Sequence, residues 1–573
     1  MKNIILFFII IIYSSSAISQ VPPALFPGFP IVLDSLEFTY NNGPIVADFN
    51  NDGENEILAG INSFSPIGKV LLIDKTGNLI PNFPKKVSCV NSYIWIAAGD
   101  VNNDGFIDII VKSDSLYVFN YSGISLPGFP TFIPNPNNSL GDFLGVYDLN
   151  NDNYLEIILV KKNKITVVNY NGLVRPGWPV TIDQGGNTFV SYFAVGDLNN
   201  DNLAEIILPS SNNLYQTPSL DSNKIFILEP DGSQYTISPI ISDSNYYFEN
   251  FNYPIIYSEN NQQYFSILSN YSTTRIPGNY KSRFTIYNNQ GDVLVRKNFV
   301  TNFLTESMTM GKRNNGSSFF LFGNLFDQTF AFNSEANLLS GFPVFTPNEQ
   351  YRNHNIGKLS DEFCFGSSAS QDTLGGMGLR GYLKYWDMNG NPLSWSPLRP
   401  KGIPGTAASF CDLNNDGQAE ILSITNYYIN GGNGCGLYVW TLPGVPFSNE
   451  KFPWQMYGHD RYRTNQLGFI PPDEPVGIQP TSTIIPEKFS LHQNYPNPFN
   501  PATTIKFDIR NSAFTKLSVF DVLGREIQTL VNEELKTGSY SLVFDGSEYN
   551  SGVYFYRLAS EDFTETKRML IVK

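Results

Sequence analysis

The chain has 573 residues, and 52 acidic against 37 basic residues give a net charge of −15. This balance argues against a nucleic-acid-binding protein, which needs a basic surface, and a charged fraction of only 16% excludes a coiled coil or a charge-extended disordered chain. The 46 glycines and 37 prolines, against 7 methionines, favour strands and turns over helices.

The first 19 residues have the pattern of a secretory signal peptide. A positive start at Met1-Lys2 precedes an almost purely apolar run from Ile4 to Tyr13, and Ala17-Ile18-Ser19 supplies small residues for cleavage before Gln20. The alternative is a membrane anchor, but the apolar run is short for a membrane span. We therefore expect a cleaved leader at 1–19, with no transmembrane span in the mature chain.

A nine-residue pattern, Asp-x-Asn-Asn-Asp-x-x-x-(Glu/Asp), recurs five times between short apolar stretches. The copies occupy 48–56, 100–108, 148–156, 197–205 and 412–420. The first four are spaced by 52, 48 and 49 residues, and a gap of 215 residues separates the fourth from the fifth. That gap leaves room for degenerate copies of the same unit.

A second marker fills the gap: an apolar strand, a turn such as 73–77 or 168–172, and a Pro-aromatic-Pro element such as 127–130. A period near 50 residues with four short strands per unit is typical of a β-propeller blade. We predict an all-β fold with a propeller over 20–465, of eight blades, with seven and an irregular insert as the alternative. The orphan element at 25–30 predicts that the N-terminal strand completes the last blade and so removes an exposed edge.

The five acidic loops have the composition of calcium sites, because Ca²⁺ takes six to eight oxygen ligands from carboxylates, amides, carbonyls and water. Side chains at positions 1, 3, 5 and 9 and the carbonyl of position 7 supply them, and position 6, which is Gly or Asn, needs a positive φ. The predicted ligands are Asp48, Asn50, Asp52, Glu54, Glu56, Asp100, Asn102, Asp104, Phe106, Asp108, Asp148, Asn150, Asp152, Tyr154, Glu156, Asp197, Asn199, Asp201, Leu203, Glu205, Asp412, Asn414, Asp416, Gln418 and Glu420.

These loops resemble the FG-GAP/VCBS repeats of integrin-like propellers, and the resemblance implies a propeller whose hairpin loops carry calcium. It spans residues 25–460, strongly in five units and weakly in three. The family pattern usually ends in Asp, whereas four of the five copies here end in Glu. The alternative is a set of solvated Asx turns. An EF-hand is excluded because no helices flank the loops and no Glu occupies position 12.

The four cysteines are either partly paired in a disulfide or all free. Cys411 and Cys435 fall in one repeat unit, where an exported chain could pair them. The alternative is four buried thiols, a set that also includes Cys89 and Cys364.

Residues 451–465 are interpreted as a tail packed on the propeller with Trp454 as its anchor. His459 and Asp460 within it are read as a capping pair rather than catalytic groups. A linker over 466–486, rich in Pro, Ser and Thr from 470 onward, follows the tail.

Residues 487–573 form a separate module. Alternating apolar residues with turns every eight to twelve positions predict a small β-sandwich. The segment Tyr495-Pro496-Asn497-Pro498-Phe499-Asn500-Pro501 and the closing strands resemble the type A C-terminal sorting domain of the type IX secretion system. The resemblance implies a Gram-negative bacterium of the Bacteroidota or a neighbouring phylum, with the secretion machinery as partner and a secreted or cell-surface location.

For the exported propeller we expect a non-enzymatic binding or adhesion role, with an extracellular glycan or protein as ligand. The alternatives are a polysaccharide lyase-like enzyme and a surface scaffold. His354 beside Arg352 is the best catalytic candidate, and we interpret it as a surface-loop residue. Aromatic residues of one degenerate unit suit sugar stacking or simply fill the core: Tyr246, Tyr247, Phe248, Phe251, Tyr253 and Tyr257.

Overall fold

The computed structural model describes residues 22–33, 37–38, 43–63, 66–90, 93–132, 142–182, 188–190, 192–212, 224–241, 248–251, 254–260, 262–272, 281–299, 308–313, 316–323, 328–345, 349–360, 362–372, 379–404, 408–429, 432–449, 451–456, 459–464, 466–467, 479–482, 486, 488–494, 497–499, 502–511, 513–535, 537–546, 549–560 and 563–572. It divides into two compact units, 1–471 and 472–573. The predicted signal peptide lies outside the described residues. No helix in the described ranges is long and apolar enough to cross a membrane.

The first unit begins with β1 (Ala24–Leu25) and β2 (Ile31–Leu33), followed by four antiparallel sheets in chain order. Blade 1 comprises β3 (Glu37–Phe38), β4 (Ile45–Ala47), β5 (Glu56–Ser63), β6 (Ile67–Ile73) and β7 (Lys85–Ser88). Blade 2 comprises β8 (Trp95–Gly99), β9 (Asp108–Lys112), β10 (Ser115–Phe119) and β11 (Thr131–Phe132). Blade 3 comprises β12 (Asp142–Tyr147), β13 (Glu156–Lys161), β14 (Lys164–Val168) and β15 (Val180–Thr181). Blade 4 comprises β16 (Thr188–Val190), β17 (Ala194–Gly196), β18 (Glu205–Asn212), β19 (Lys224–Leu228) and β20 (Ile240–Ile241).

Four further sheets follow. Blade 5 comprises β21 (Phe248–Phe251), β22 (Ile255–Glu259), β23 (Gln262–Ser272), β24 (Lys281–Asn288) and β25 (Val293–Phe299). Blade 6 comprises β26 (Thr309–Lys312), β27 (Ser318–Gly323), β28 (Gln328–Asn333) and β29 (Val344–Phe345). Blade 7 comprises β30 (Glu349–Gly357), β31 (Cys364–Asp372) and β32 (Leu379–Asp387). Blade 8 comprises β33 (Ile403–Pro404), β34 (Ser409–Cys411), β35 (Gln418–Ile429) and β36 (Gly432–Pro446).

The eight sheets close into a ring. β1 and β2 pair antiparallel with β36, so the N-terminal strands form the outer edge of the last blade, as the orphan element predicted. The hydrophobic clusters of the first unit lie between successive sheets, and one joins blade 8 to blade 1 through Leu422 and Ile57. The sequence prediction of an eight-bladed propeller is therefore confirmed. The strands read as apolar runs, such as Ile109-Ile110-Val111, because each sheet is covered on both faces.

The second unit is the predicted β-sandwich. One sheet contains β37 (Gln479–Ser482), β38 (Ser490–Leu491), β39 (Ala502–Ile509) and β42 (Gly538–Asp545). The other contains β40 (Ala513–Phe520), β41 (Glu526–Leu535), β43 (Gly552–Ser560) and β44 (Phe563–Ile571). Alternate side chains of both sheets, such as Ile505, Phe507 and Leu517, meet in one buried core.

Three sequence interpretations need correction or limits. His354 is a buried residue of β30, not a surface-loop residue, because the strand reaches the blade core; its Nε2 atom lies 3.1 Å from Thr329 Oγ1. All four cysteines are free, so the pairing of Cys411 with Cys435 is not formed. Of the aromatic run, Tyr257 fills the core and stacks on Tyr264 with ring centres 5.5 Å apart. Tyr246, Tyr247 and Tyr253 lie outside the described residues, and nothing is described of the side chains of Phe248 and Phe251.

Candidate functional site

The five acidic loops lie in consecutive blades on one face of the ring. Each connects the innermost strand of its blade to the second strand, for example β4 to β5. Ring closure makes the loop at 412–420 the neighbour of the loop at 48–56, although Glu56 and Asp412 lie 356 positions apart in the sequence. The Asn415 side chain donates to the carbonyl of Gly53 at 2.9 Å, and Asn51 in turn donates to the carbonyl of Gly105.

Position 1 organises each loop. One carboxylate oxygen of Asp48 accepts from the Asp52 amide at 3.2 Å, and the other accepts from the Gly53 amide at 2.8 Å. The same two bonds recur in the other four loops, around the aspartates Asp100, Asp148, Asp197 and Asp412. The loops are thus folded by their own side chains, which holds positions 1, 3 and 5 on one side of the backbone.

The position 3 amide leaves unpaired oxygens in two loops. In every copy its nitrogen donates to the position 5 aspartate, as Asn50 does to Asp52 at 2.9 Å. The buried Oδ1 atoms of Asn150 and Asn414, however, have no hydrogen-bond partner. A buried acceptor without a donor is costly, and a cation in the loop is one way to satisfy it.

Left-handed backbone occurs at two positions of each loop. Position 6 has the predicted positive φ, for example 83° at Gly53 and 68° at Asn153. Position 4 has it as well, with φ of 54° to 63°, and sequence reasoning missed this. The signal was present, since position 4 is Asn in every copy and Asn tolerates this region; the five residues are Asn51, Asn103, Asn151, Asn200 and Asn415.

The closing carboxylate at position 9 turns back onto the loop. Glu56 Oε2 accepts from the Phe49 amide at 3.1 Å, and the corresponding bond recurs in the other four loops. Burial raises the pKa of Glu56, Glu205 and Glu420 to about 8. Burial also raises the pKa of Asp412 at position 1 to about 6. These carboxylates are therefore desolvated without full compensation by the surrounding protein.

In the third loop an arginine pairs with the closing carboxylate. Arg175 Nη1 lies 2.8 Å from Glu156 Oε1, and the Glu156 side chain is only 4% exposed. Burial raises the pKa of Glu156 to about 7, and the Arg175 charge opposes that rise. No arginine or lysine among the described residues is within ion-pair distance of Glu56, Glu205 or Glu420.

Calcium binding at these loops remains a prediction. Within the part of the chain that the structure describes, no three histidine, cysteine, aspartate or glutamate side chains form a ready metal cluster. A cation would also need the Asn oxygens and main-chain carbonyls, which is the mixed oxygen set that Ca²⁺ takes. The donor chemistry and the unpaired oxygens of Asn150 and Asn414 fit such an ion.

The axis of the ring is occupied by the residues described at 451–456, 459–464 and 466–467, which we call the strap. Its carbonyls accept from inner-strand amides at Ala98, Val146 and Val195, at 2.9 to 3.0 Å. Further backbone bonds join the strap to β22, β30 and β34, so it contacts the innermost strands of six blades. Small residues make room for it: a Cβ on Gly99 would come within 2.7 Å of the Tyr462 ring. The tail predicted to pack on the propeller thus lies along its centre.

Asp460 holds the turn of the strap. Its carboxylate accepts from the Tyr462 amide at 2.7 Å, from the hydroxyl of Thr464, and lies 2.8 Å from His459 Nδ1. His459 packs edge-on against Trp454, with ring centres 5.1 Å apart. Arg463, buried beside them, donates to the carbonyl of Gly43 at 2.8 Å. The pair therefore has the capping geometry that the sequence suggested.

Family models match both parts of the chain. An FG-GAP-like repeat matches residues 48–111 and 148–208, which cover the first four acidic loops. A secretion system C-terminal sorting domain matches residues 493–573. The chain carries FG-GAP-like repeats and a type IX sorting domain. The sorting domain marks the protein for type IX secretion and an extracellular or cell-surface location.

Among curated proteins, nothing matches the chain. Among solved structures, a crystal structure of BBS1N in complex with ARL6DN is 10% identical, with a TM-score of 0.40, and covers 61% of this chain and 92% of that one. A protein of unknown function from Bacteroides caccae is 13% identical, with a TM-score of 0.28, covering 47% of this chain and 83% of that one.

Proposed function

We propose that this protein is an extracellular, non-enzymatic binding or adhesion protein, whose propeller presents a ligand-binding face and is stabilised by calcium in its acidic loops. The type IX sorting domain delivers it outside the cell or to the cell surface, where glycans and matrix proteins are the available ligands. The observation that carries the proposal is the strap, because it fills the central axis that an enclosed active site would use.

The distribution of histidines supports a binding role. His354 is buried in blade 7 beside Thr329, and His459 is paired with Asp460 inside the strap. His492 belongs to the sorting domain, where its Nε2 atom lies 2.8 Å from Asp508. Each histidine is thus engaged in a structural contact. General acid-base chemistry would have to rely on other groups.

Calcium is proposed as a structural ion. The predicted ligands are carboxylate, amide and main-chain oxygens of five loops, three of which contact one another through Asn51 and Asn415. An ion that binds only the folded loops would stabilise the ring by mass action. It would also compensate the desolvated closing glutamates. The ions would thus hold the loop face of the ring in one arrangement.

The test uses the full chain, purified with calcium, on arrays of glycans and matrix proteins. The same sample is assayed for lyase products by the ultraviolet absorbance of the unsaturated sugar. We expect saturable binding and no product. Product formation that persists through purification and is lost in His354→Ala would overturn the proposal and favour a polysaccharide lyase. Absence of any glycan or protein ligand would instead favour a scaffold.

A further inference from the structure

Arg175 breaks the repeat at one position. In each of seven turns, the residue before the Pro-aromatic element donates its amide to the strand behind, as Arg175 does to Val167 at 2.9 Å. The six equivalent residues are all apolar or aromatic: Phe26, Ile80, Leu126, Tyr235, Leu339 and Leu393. In the first two blades this residue fills the core, since Ile80 and Leu126 are buried. A charged residue here therefore serves something other than blade packing.

The guanidinium lines a cavity of about 380 Å³ on the loop face, between blades 3 and 4. Its Nη1 atom is buried and forms the ion pair with Glu156 without a properly directed hydrogen bond. Arginine has five N–H donors, and those on Nε and Nη2 are the ones that remain for a ligand in the cavity that Arg175 lines. The volume lies within the roughly 300–1,000 Å³ typical of small-molecule sites.

Two tyrosines form an aromatic wall of the same cavity. Tyr154, at position 7 of the third loop, and Tyr170, in the turn after β14, stack with ring centres 4.5 Å apart at 28°. Tyr170 is 40% exposed, so part of its ring remains open to solvent. An exposed ring with a rigid neighbour is a surface on which the apolar face of a sugar packs at low entropic cost.

Charge selects the kind of sugar. Arg175 is paired with Glu156 and Asp152 is a predicted calcium ligand, so Asp231 of blade 4 is the exposed carboxylate on the cavity wall. Its oxygens accept hydrogen bonds from hydroxyl groups, and its negative charge repels a uronate or a sulfated chain. Asn169, on the same wall, offers both an acceptor and a donor.

We propose that this cleft binds a neutral oligosaccharide, with the sugar ring against Tyr170 and its hydroxyl groups on Arg175 and Asp231. The inference rests on the proposed binding function and names its ligand class and place. It adds a site that belongs to blades 3 and 4 alone, because the other blades lack the arginine.

The experiment is titration calorimetry of the full chain, in calcium-containing buffer, with xylohexaose, cellohexaose and mannohexaose as neutral probes and oligogalacturonate as the acidic probe. Tyr170→Ala removes the exposed ring. Arg175→Leu restores the residue type of the other blades and is expected to fold. Tyr121→Ala is the matched control, since Tyr121 occupies the equivalent turn of blade 2.

We expect a neutral probe to bind, each cleft variant to weaken it about tenfold or more, and Tyr121→Ala to bind like the wild type. Binding that survives both cleft variants would overturn the cleft assignment and leave the proposed binding function intact. If the only ligand found is acidic, or is a protein, the cleft assignment is likewise overturned and the proposed binding function stands. Catalytic turnover of any probe would overturn both, because the binding role excludes it.

Discussion

The contribution of the strap is testable by Asp460→Ala. The carboxylate is 7% exposed and accepts from the Tyr462 amide at 2.7 Å, with His459 and the Thr464 hydroxyl as further partners. Bonds to a charged group contribute about 1.5–3 kcal/mol each, and breaking a buried pair costs about 3–5 kcal/mol. We therefore expect the free energy of unfolding to fall by about 3–5 kcal/mol.

The expected change in melting temperature follows from the size of the unit. At about 2.1 cal/mol/K per residue, a ring of roughly 450 residues has an unfolding entropy near 1 kcal/mol/K, so the loss corresponds to about 3–5 °C. The assay is calorimetry of the full chain. Asp292→Ala is the matched control, because Asp292 lies in an exposed turn, where substitutions usually change stability by less than about 0.5 kcal/mol.

A second readout separates the strap from general destabilisation. The amides of Ala98, Val146 and Val195 donate to strap carbonyls. Their hydrogen exchange should accelerate in Asp460→Ala more than exchange at amides paired only within a blade. An unchanged melting temperature together with unchanged exchange at these three amides would refute the reasoning.

Three further predictions concern the loops and the axis. Removing calcium with a chelator should lower the melting temperature. The free energy of unfolding should fall by about 2.7 kcal/mol per site if calcium had been present at 100 times its Kd. A calorimetric melting curve that does not change on adding chelator would contradict calcium binding. With chelator present, the pKa of Glu205 is about 8 in the folded protein against 4.5 in the unfolded chain. Its contribution to stability is therefore full at low pH and is lost as the pH rises towards 8. Glu205→Gln should make the melting temperature depend less on pH over this range. Gly357→Ala should destabilise the ring, since the added Cβ meets the Phe452 ring of the strap. Gly444→Ala is the control for backbone strain alone, because Gly444 has open space around it but a positive φ. Equal melting temperatures of the two variants would count against the contact with Phe452.

Much of the fold was accessible from the sequence because it repeats. The acidic loops and Pro-aromatic turns marked each blade, and the orphan element at 25–30 predicted closure with β36. The loop φ at position 6 also followed from residue type, since Gly53 and Asn153 stand where other residues are disfavoured. Local chemistry, repeated in register, was sufficient for these features.

The features that were missed depend on distant parts of the chain. The local sequence of 451–467 does not indicate that this segment pairs with the inner strands of six blades. The bonds connect residues hundreds of positions apart, such as Val146 and Tyr462. His354 looked exposed because its neighbours are polar, yet the strand carries it into the core. Arg175 resembled an ordinary turn residue until its equivalents in the other blades were aligned by their backbone bonds.

The strap also imposes an order on the completion of the ring. It follows the last strand of blade 8 in the chain, and its described residues form backbone bonds with the inner strands of six blades. These bonds can form together only when all six strands are in place. Docking of the strap is therefore the last step of folding, and it closes the centre of a ring that is already complete.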